Sequence, residues 1–161
     1  MLEEEIVKKL LEKNYTITTA ESCTGGLLAG RILNVPGASA VYNEGHITYS
    51  NEAKERLLQV SHETLVKYGA VSRQTAEEMA YGAAKAAKAD VGLSTTGIAG
   101  PGGGTEEKPV GLIYVGCYVE GKTYTRECHF HGTREENRKA AVEAALELLQ
   151  ENLCYSSYIS Q

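Results

Sequence analysis

The sequence predicts an α/β fold, a three-layer α/β/α sandwich with a mixed, about five-stranded sheet. Three observations carry that expectation. Short runs rich in β-branched and aromatic residues alternate with longer segments whose apolar residues recur at helical spacing. Glycine and proline stand where one pattern gives way to the next. Toward the carboxyl end two β-rich runs flank Glu120-Gly121, a hairpin turn signal, so at least one strand runs against the others. With 161 residues, 42% of them hydrophobic, the chain is long enough to bury a core and is expected to form a single domain over 1–161.

The elements follow in order. Leu2, Ile6, Val7, Leu10 and Leu11 recur at helical spacing among Glu and Lys, predicting a first helix used for packing. TITTA, Thr16 to Ala20, suits a short strand, and the glycines after Ser22 let the chain turn sharply into a helix over LLAGRILN that ends at Pro36 and Gly37. The apolar and aromatic run SAVYNEGHITYS predicts a second strand, with Gly45 marking a bulge and Tyr49 at its carboxyl end. NEAKERLLQV turns helical, with Ala53, Leu57 and Leu58 on one face and Ser50 or Asn51 as N-cap. A short helix from Ser61 to Tyr68 stops at Gly69, and Ser72 starts an alanine-rich helix through Lys88 whose small residues imply close packing. DVGLSTTG is a third strand running into a glycine loop, Gly97 to Gly104, and PVGLIYVGCYVEGKTYTRECHF is the hairpin. Thr133 and Glu136 have capping-box spacing, and Val142, Ala145, Leu146 and Leu149 carry a last helix. The tail 154–161 shows no period and is expected to be frayed.

Composition narrows the function. A net charge of −5 argues against nucleic-acid binding but leaves room for a local basic pocket. No apolar run approaches the roughly 20 residues of a membrane helix, and no targeting segment is evident, so a cytoplasmic protein with no membrane partner is expected. The four cysteines form no CxxC pair, as expected of reduced thiols. His129 and His131 share a strand face without a third ligand nearby, so no metal site is expected; His46 and His62 have no evident partner. Neither the GxxxxGK[ST] phosphate loop nor a GxSxG elbow occurs.

The stretch that organises the chain is TTAESCTGG, Thr18 to Gly26. Alone, Ser22 reads as a helix N-cap. Its position between a strand's carboxyl end and a helix's amino end is also where open α/β sheets bind ligands and where free N–H groups hold an anion or a developing oxyanion. Tyr49 and the loop GIAGPGGGT fall at the ends of the other strands, so one rim of the sheet can collect all three. Lys54 lies in or beside a first helical turn, where the macrodipole and partial burial disfavour its protonated form, and a lysine with a lowered pKa can serve as general base to a serine. Tyr49 is placed to orient that lysine or relay its proton. Glycine-dense loops expose N–H groups to an oxyanion or phosphate, and Arg134 and Arg138, which oppose the dipole of the last helix, suit an anionic ligand.

Taken together and in this order, TAESCTGG, ITYSNEAKERLL, GAVS, TTGIAGPGGGTEEKPVG and GTREENR resemble the CinA carboxyl-terminal domain, a family that includes nicotinamide mononucleotide (NMN) amidohydrolases. The resemblance covers Leu2 to Leu149. It implies an α/β/α domain that hydrolyses the carboxamide of NMN to nicotinate mononucleotide and ammonia, a step of pyridine nucleotide salvage, with no cofactor and a Ser/Tyr/Lys catalytic set. By motif that set is Ser22, Tyr49 and Lys54. The expected substrate-binding residues are Thr24, Gly25 and Gly26 after the serine, Thr96, Gly100, Gly102, Gly103 and Gly104, and Arg134 and Arg138, with Arg134 favoured for the phosphate. Thr133, Asn137 and Glu106 depart from residues frequent in the family, an aspartate, an apolar residue and a proline respectively. Many relatives carry a nucleotide-hydrolysing domain on the amino-terminal side, so this chain is expected to be a stand-alone version or a fragment. Two other readings stay open: a non-catalytic nucleotide-binding or regulatory module linked to competence and DNA damage, and an amidase for another small amide. The hairpin edge and the alanine-rich face are compatible with a homodimer.

Overall fold

The computed structural model describes the backbone of residues 1–159 and the side chains of residues 1–153. The elements run α1 (Leu2–Lys13), β1 (Ile17–Glu21), α2 (Leu27–Leu33), β2 (His46–Ile47), α3 (Asn51–Leu58), α4 (His62–Tyr68), α5 (Arg73–Ala87), β3 (Val91–Gly97), β4 (Leu112–Val119), β5 (Lys122–His129) and α6 (Arg134–Ile159). They form one five-stranded sheet of order β2-β1-β3-β4-β5. β2, β1 and β3 are parallel, and β4 and β5 are antiparallel, so the sheet is mixed.

Helices cover both faces. α1, α2 and α6 pack on one side, where Leu28, Ile32, Leu146 and Leu149 meet Ile17, Leu93, Ile113 and Val115. α3, α4 and α5 cover the other, where Leu58, Leu65, Met79 and Ala83 cluster with Ala20. β1 is buried along its whole length, so its threonines must find partners. Thr18 Oγ1 donates to the Glu44 carbonyl at 2.7 Å, and Thr19 Oγ1 lies 2.8 Å from Tyr42 Oη.

Those bonds explain the largest departure from the expected elements. The segment expected to be one strand over SAVYNEGHITYS pairs only at His46–Ile47, after a 3-10 turn at Ala38–Ala40 and an isolated bridge at Tyr42. Its polar groups bond to threonine side chains of β1 in place of a ladder. Gly45 is a site of close approach, not a bulge: a Cβ there would lie 1.9 Å from Tyr42 Oη and 2.7 Å from Thr19 Oγ1.

Local signals elsewhere correspond to what forms. Ser50 Oγ accepts the Ala53 N–H at 3.1 Å, and Ser72 Oγ accepts the Thr75 N–H at 3.1 Å. Glu120 and Gly121 both take positive φ, 52° and 79°, as the tight hairpin requires. Thr133 and Glu136 cap α6 reciprocally, at 2.9 and 3.2 Å. The backbone of α6 is helical to Ile159; the expectation of fraying over 154–161 falls on side chains and end residues outside the described residues. Cys23, Cys117 and Cys128 are buried free thiols, and Cys154 is also outside the described side chains. No helix among the described residues is long and apolar enough to cross a membrane.

The small residues of α5 set the position of α3. A Cβ on Gly82 would fall 1.9 Å from the Leu58 carbonyl oxygen; on the helix's other side, one on Gly92 of β3 would fall 2.2 Å from the Ala80 carbonyl oxygen. The α3–α5 contact is thus backbone against backbone and cannot yield by turning a side chain. Gly82→Ala is expected to destabilise the fold by about 2–3 kcal/mol through overpacking, read as a lower urea midpoint at unchanged m-value. An unchanged midpoint would mean that α3 shifts freely on α5.

Candidate active site

β1 ends at Glu21, and the next residue, Ser22, extends the sheet by one bond, its N–H donating to the Thr95 carbonyl at 3.0 Å. From β1 the chain leaves through α2 toward β2, and from β3 it leaves the other way toward β4. β1 and β3 are parallel neighbours, so their carboxyl ends lie at one edge of the sheet, and Ser22 stands at that edge.

Lys54 enters from α3. Its side chain is 1% exposed, and its Nζ lies 3.0 Å from Ser22 Oγ, 2.8 Å from the Thr48 carbonyl and 3.3 Å from the Tyr49 carbonyl. Among the described residues it has no carboxylate partner. The N-cap at Ser50 starts α3 so that Lys54 points back over Thr48 and Tyr49, the residues just after β2, which supply both carbonyls. Burial drives the Lys54 pKa down from 10.5 to about 8, opposed in part by the neighbouring Cys23 side chain.

Tyr49 is placed differently from the expected role. Its side chain is 64% exposed, and its hydroxyl accepts from Arg134 Nη2 at 3.4 Å. The Tyr49 atom that touches Lys54 is the main-chain oxygen, because the chain has left the sheet at Thr48 and the ring turns outward toward α6.

Glu21, given no role from sequence, is 1% exposed and closes the serine loop. Its carboxylate accepts Thr24 Oγ1–H at 2.5 Å and the N–H groups of Leu28 and Ala29 at 2.8 and 3.1 Å. The amino end of α2 is therefore filled by the protein's own carboxylate, which corrects the expectation of an open anion seat there. A glutamate at the end of an otherwise uncharged buried strand was the available signal. Thr24 is buried, its hydroxyl also 2.7 Å from Thr95 Oγ1, so the side chain belongs to this clamp and not to a ligand surface. Gly25 and Gly26 carry the turn at φ 56° and 108°, and the Gly25 N–H returns to the Ser22 carbonyl at 3.2 Å.

Thr96 is a correction as well. Strand alternation puts Ser94 and Thr96 on one face, where their hydroxyls donate at 2.7 Å each to the Ala76 carbonyl of α5 and the Ala70 carbonyl of the loop before it. In the glycine loop, Gly100 (φ 91°) and Gly104 pack against Val110, where a Cβ would lie 2.4 and 2.7 Å from its atoms. Gly102 and Gly103 form the exposed tip, and Gly102 has open space around it.

The first turns of α6 hold both loops. Arg134 Nη1 donates to the Gly100 carbonyl at 2.9 Å, and buried Asn137 donates to the Ala99 carbonyl at 3.0 Å. Arg138 donates from Nε to the Cys23 carbonyl at 2.9 Å and from Nη2 to the Thr24 carbonyl at 3.0 Å. Unlike Arg31, Arg73 and Arg126, neither Arg134 nor Arg138 forms an ion pair with a carboxylate among the described residues. Asn137, noticed in the sequence only as a departure from a motif, is thus a structural tie. Among the described residues, no His, Cys, Asp and Glu side chains converge as a metal-ligand group.

Residues 1–153 match the model of the CinA C-terminal domain. The chain belongs to that family. A competence-damage inducible protein of Clostridium novyi (strain NT) is 59% identical over 152 residues, which are 94% of this chain and 37% of that protein. A relative of the same name from Alkaliphilus metalliredigens is 55% identical, again over 94% of this chain and 37% of its own. This CinA domain thus spans a little over a third of those relatives' length. Among solved structures, the competence/damage inducible protein CihA of Agrobacterium tumefaciens superposes with a TM-score of 0.91 at 44% identity, covering 93% of this chain and 92% of its own. Competence damage-inducible protein A (ComA) of Klebsiella pneumoniae does so with 0.91 at 38% identity and 95% coverage of both. The α/β architecture is that of the CinA structures.

The buried lysine ties the stability of the CinA domain to pH. Between about 8 and 10.5 the unfolded chain holds the Lys54 proton more often than the folded one, so stability rises with pH across that window. Below it the fold carries a buried ammonium at a cost of about 3 kcal/mol. The unfolding free energy of the parent minus that of Lys54→Met is expected to rise by about 3 kcal/mol between pH 7 and pH 10.5, measured by denaturant titration. A pH-independent difference would mean that burial does not depress the lysine.

Proposed function

We propose that this CinA domain is an amidohydrolase that converts NMN to nicotinate mononucleotide and ammonia, with Ser22 as nucleophile and Lys54 as its base. The observation that carries the reading is the 3.0 Å approach of a buried, carboxylate-free lysine amine to the serine hydroxyl. A neutral amine has two N–H donors and one lone pair. The Thr48 and Tyr49 carbonyls can only accept, so they take the two N–H groups and leave the lone pair facing the Ser22 O–H.

The reaction then runs in two halves. Ser22 Oγ attacks the carboxamide carbon while Lys54 Nζ takes the hydroxyl proton. The tetrahedral intermediate collapses, its C–N bond breaks, and Lys54 returns the proton to the departing ammonia, leaving an ester on Ser22. Water attacks that ester with Lys54 again as base, and the carboxylic acid leaves as Ser22 regains its proton. Of the loop amides, that of Gly25 is held by Ser22 and those of Leu28 and Ala29 by Glu21. Of the remaining amides, those of Cys23 and Thr24 adjoin the nucleophile in the chain, and the oxyanion is assigned to them. The ribose phosphate is assigned to Arg134, which is exposed, has no carboxylate partner among the described residues and lies between Tyr49 and Gly100.

The test is ammonia release from NMN by the purified chain beside Ser22→Ala. Release by the parent and at least about a thousandfold loss in the variant are expected. Binding of NMN without release by either protein would favour the non-catalytic nucleotide-binding reading. Because the neutral amine is the active form, kcat/KM is expected to fall about tenfold per pH unit below about 8. A flat profile down to pH 6 would remove Lys54 as the base.

A further inference from the structure

The Ser22 loop is closed from two sides. Glu21 holds it from within through the Thr24 hydroxyl and the first amides of α2, and Arg138 holds it from α6 through the carbonyls of Cys23 and Thr24. Arg138 is half-buried, and two of its donor positions are taken by the very peptides that follow the nucleophile. The planar fork of a guanidinium fixes both carbonyls at once, which the single point of a lysine ammonium does not.

A hydrogen bond to a peptide oxygen also changes the other end of that peptide. A cation on the Cys23 carbonyl draws charge from the Cys23–Thr24 amide and makes the Thr24 N–H a stronger donor. That N–H is one of the two assigned to the oxyanion. We infer that Arg138 is a positioning residue for catalysis, acting through the Cys23 and Thr24 carbonyls to aim and strengthen the oxyanion donors beside Ser22, and that it is not a seat for the substrate's phosphate. This replaces the expectation of a substrate-binding Arg138, and it rests on the reading of Ser22 as a nucleophile.

The two roles separate in kinetics. With Arg138→Ala and Arg138→Lys, kcat for NMN is expected to fall about 10- to 100-fold in the alanine variant, and less in the lysine variant, with KM within about threefold of the parent. The same proportional loss is expected for nicotinamide riboside, which lacks the phosphate. A KM for NMN raised tenfold or more at retained kcat, with the riboside unaffected, would overturn the inference and make Arg138 the phosphate ligand. Thermal melting identifies any variant that fails to fold, in which case the lysine variant decides.

A second readout does not depend on the substrate. An alkyl fluorophosphonate forms a P–O bond with Ser22 Oγ, expels fluoride and passes through the same kind of oxyanion. Labelling is expected to slow at least about tenfold in the folded alanine variant, and less in the lysine variant, while its pH midpoint stays where the parent's is, since the Ser22–Lys54 pair is untouched. If the parent labels but releases no ammonia from NMN, the amidohydrolase reading fails and the labelling rates still judge Arg138. If all three proteins label equally fast, the inference about Arg138 fails while Ser22 stands as nucleophile.

Discussion

Burying an amine costs free energy in either protonation state, and the fold around Lys54 limits that cost without a counter-ion. Three oxygens surround Nζ: a hydroxyl and two main-chain carbonyls. None carries a charge that would hold the proton in place, so desolvation prevails and the neutral amine becomes accessible near physiological pH. A carboxylate at the same distance would stabilise the ammonium and remove the base. The buried carboxylate that precedes Ser22, Glu21, is instead committed to Thr24, Leu28 and Ala29.

Three structural supports keep that arrangement in register. β2 ends just before Thr48, and its short pairing with β1 presents the two carbonyls. α3 is set by its Ser50 cap and by the backbone contact of Leu58 with Gly82. The Ser22 loop is held by Glu21 and Arg138. Each acts on main-chain atoms, which makes the geometry less dependent on side-chain rotamers.

Ser22, Lys54 and the order of elements were legible because each rests on local chemistry: a strand meeting glycines, a cap before a helix, a capping box, a hairpin turn. What stayed hidden depends on contacts distant in sequence. The segment from Ser39 to Gly45 has strand-like composition, but its polar groups are claimed by Thr18 and Thr19, which no local pattern reveals. Thr96 sits at a strand end as expected of a ligand contact, yet alternation turns its hydroxyl into the sheet–α5 layer. Tyr49 lies where the strand pattern put it, but alternation stops once the chain leaves the sheet, so the direction of its ring could not be read. Arg138 reads as a solvated or ligand-binding cation until α6 is placed against a loop more than a hundred residues away.

The central claim is that Lys54 Nζ is a neutral acceptor for the Ser22 proton within the working pH range. Its most direct measurement is an NMR titration of the Lys54 side chain in protein labelled with carbon-13 at lysine, with Lys54→Met used to assign the resonance. A midpoint near 8 is the expected result. A Lys54 midpoint at its ordinary value of 10.5 would leave the amine almost wholly protonated even at about pH 9 and contradict the assignment of Lys54 as base.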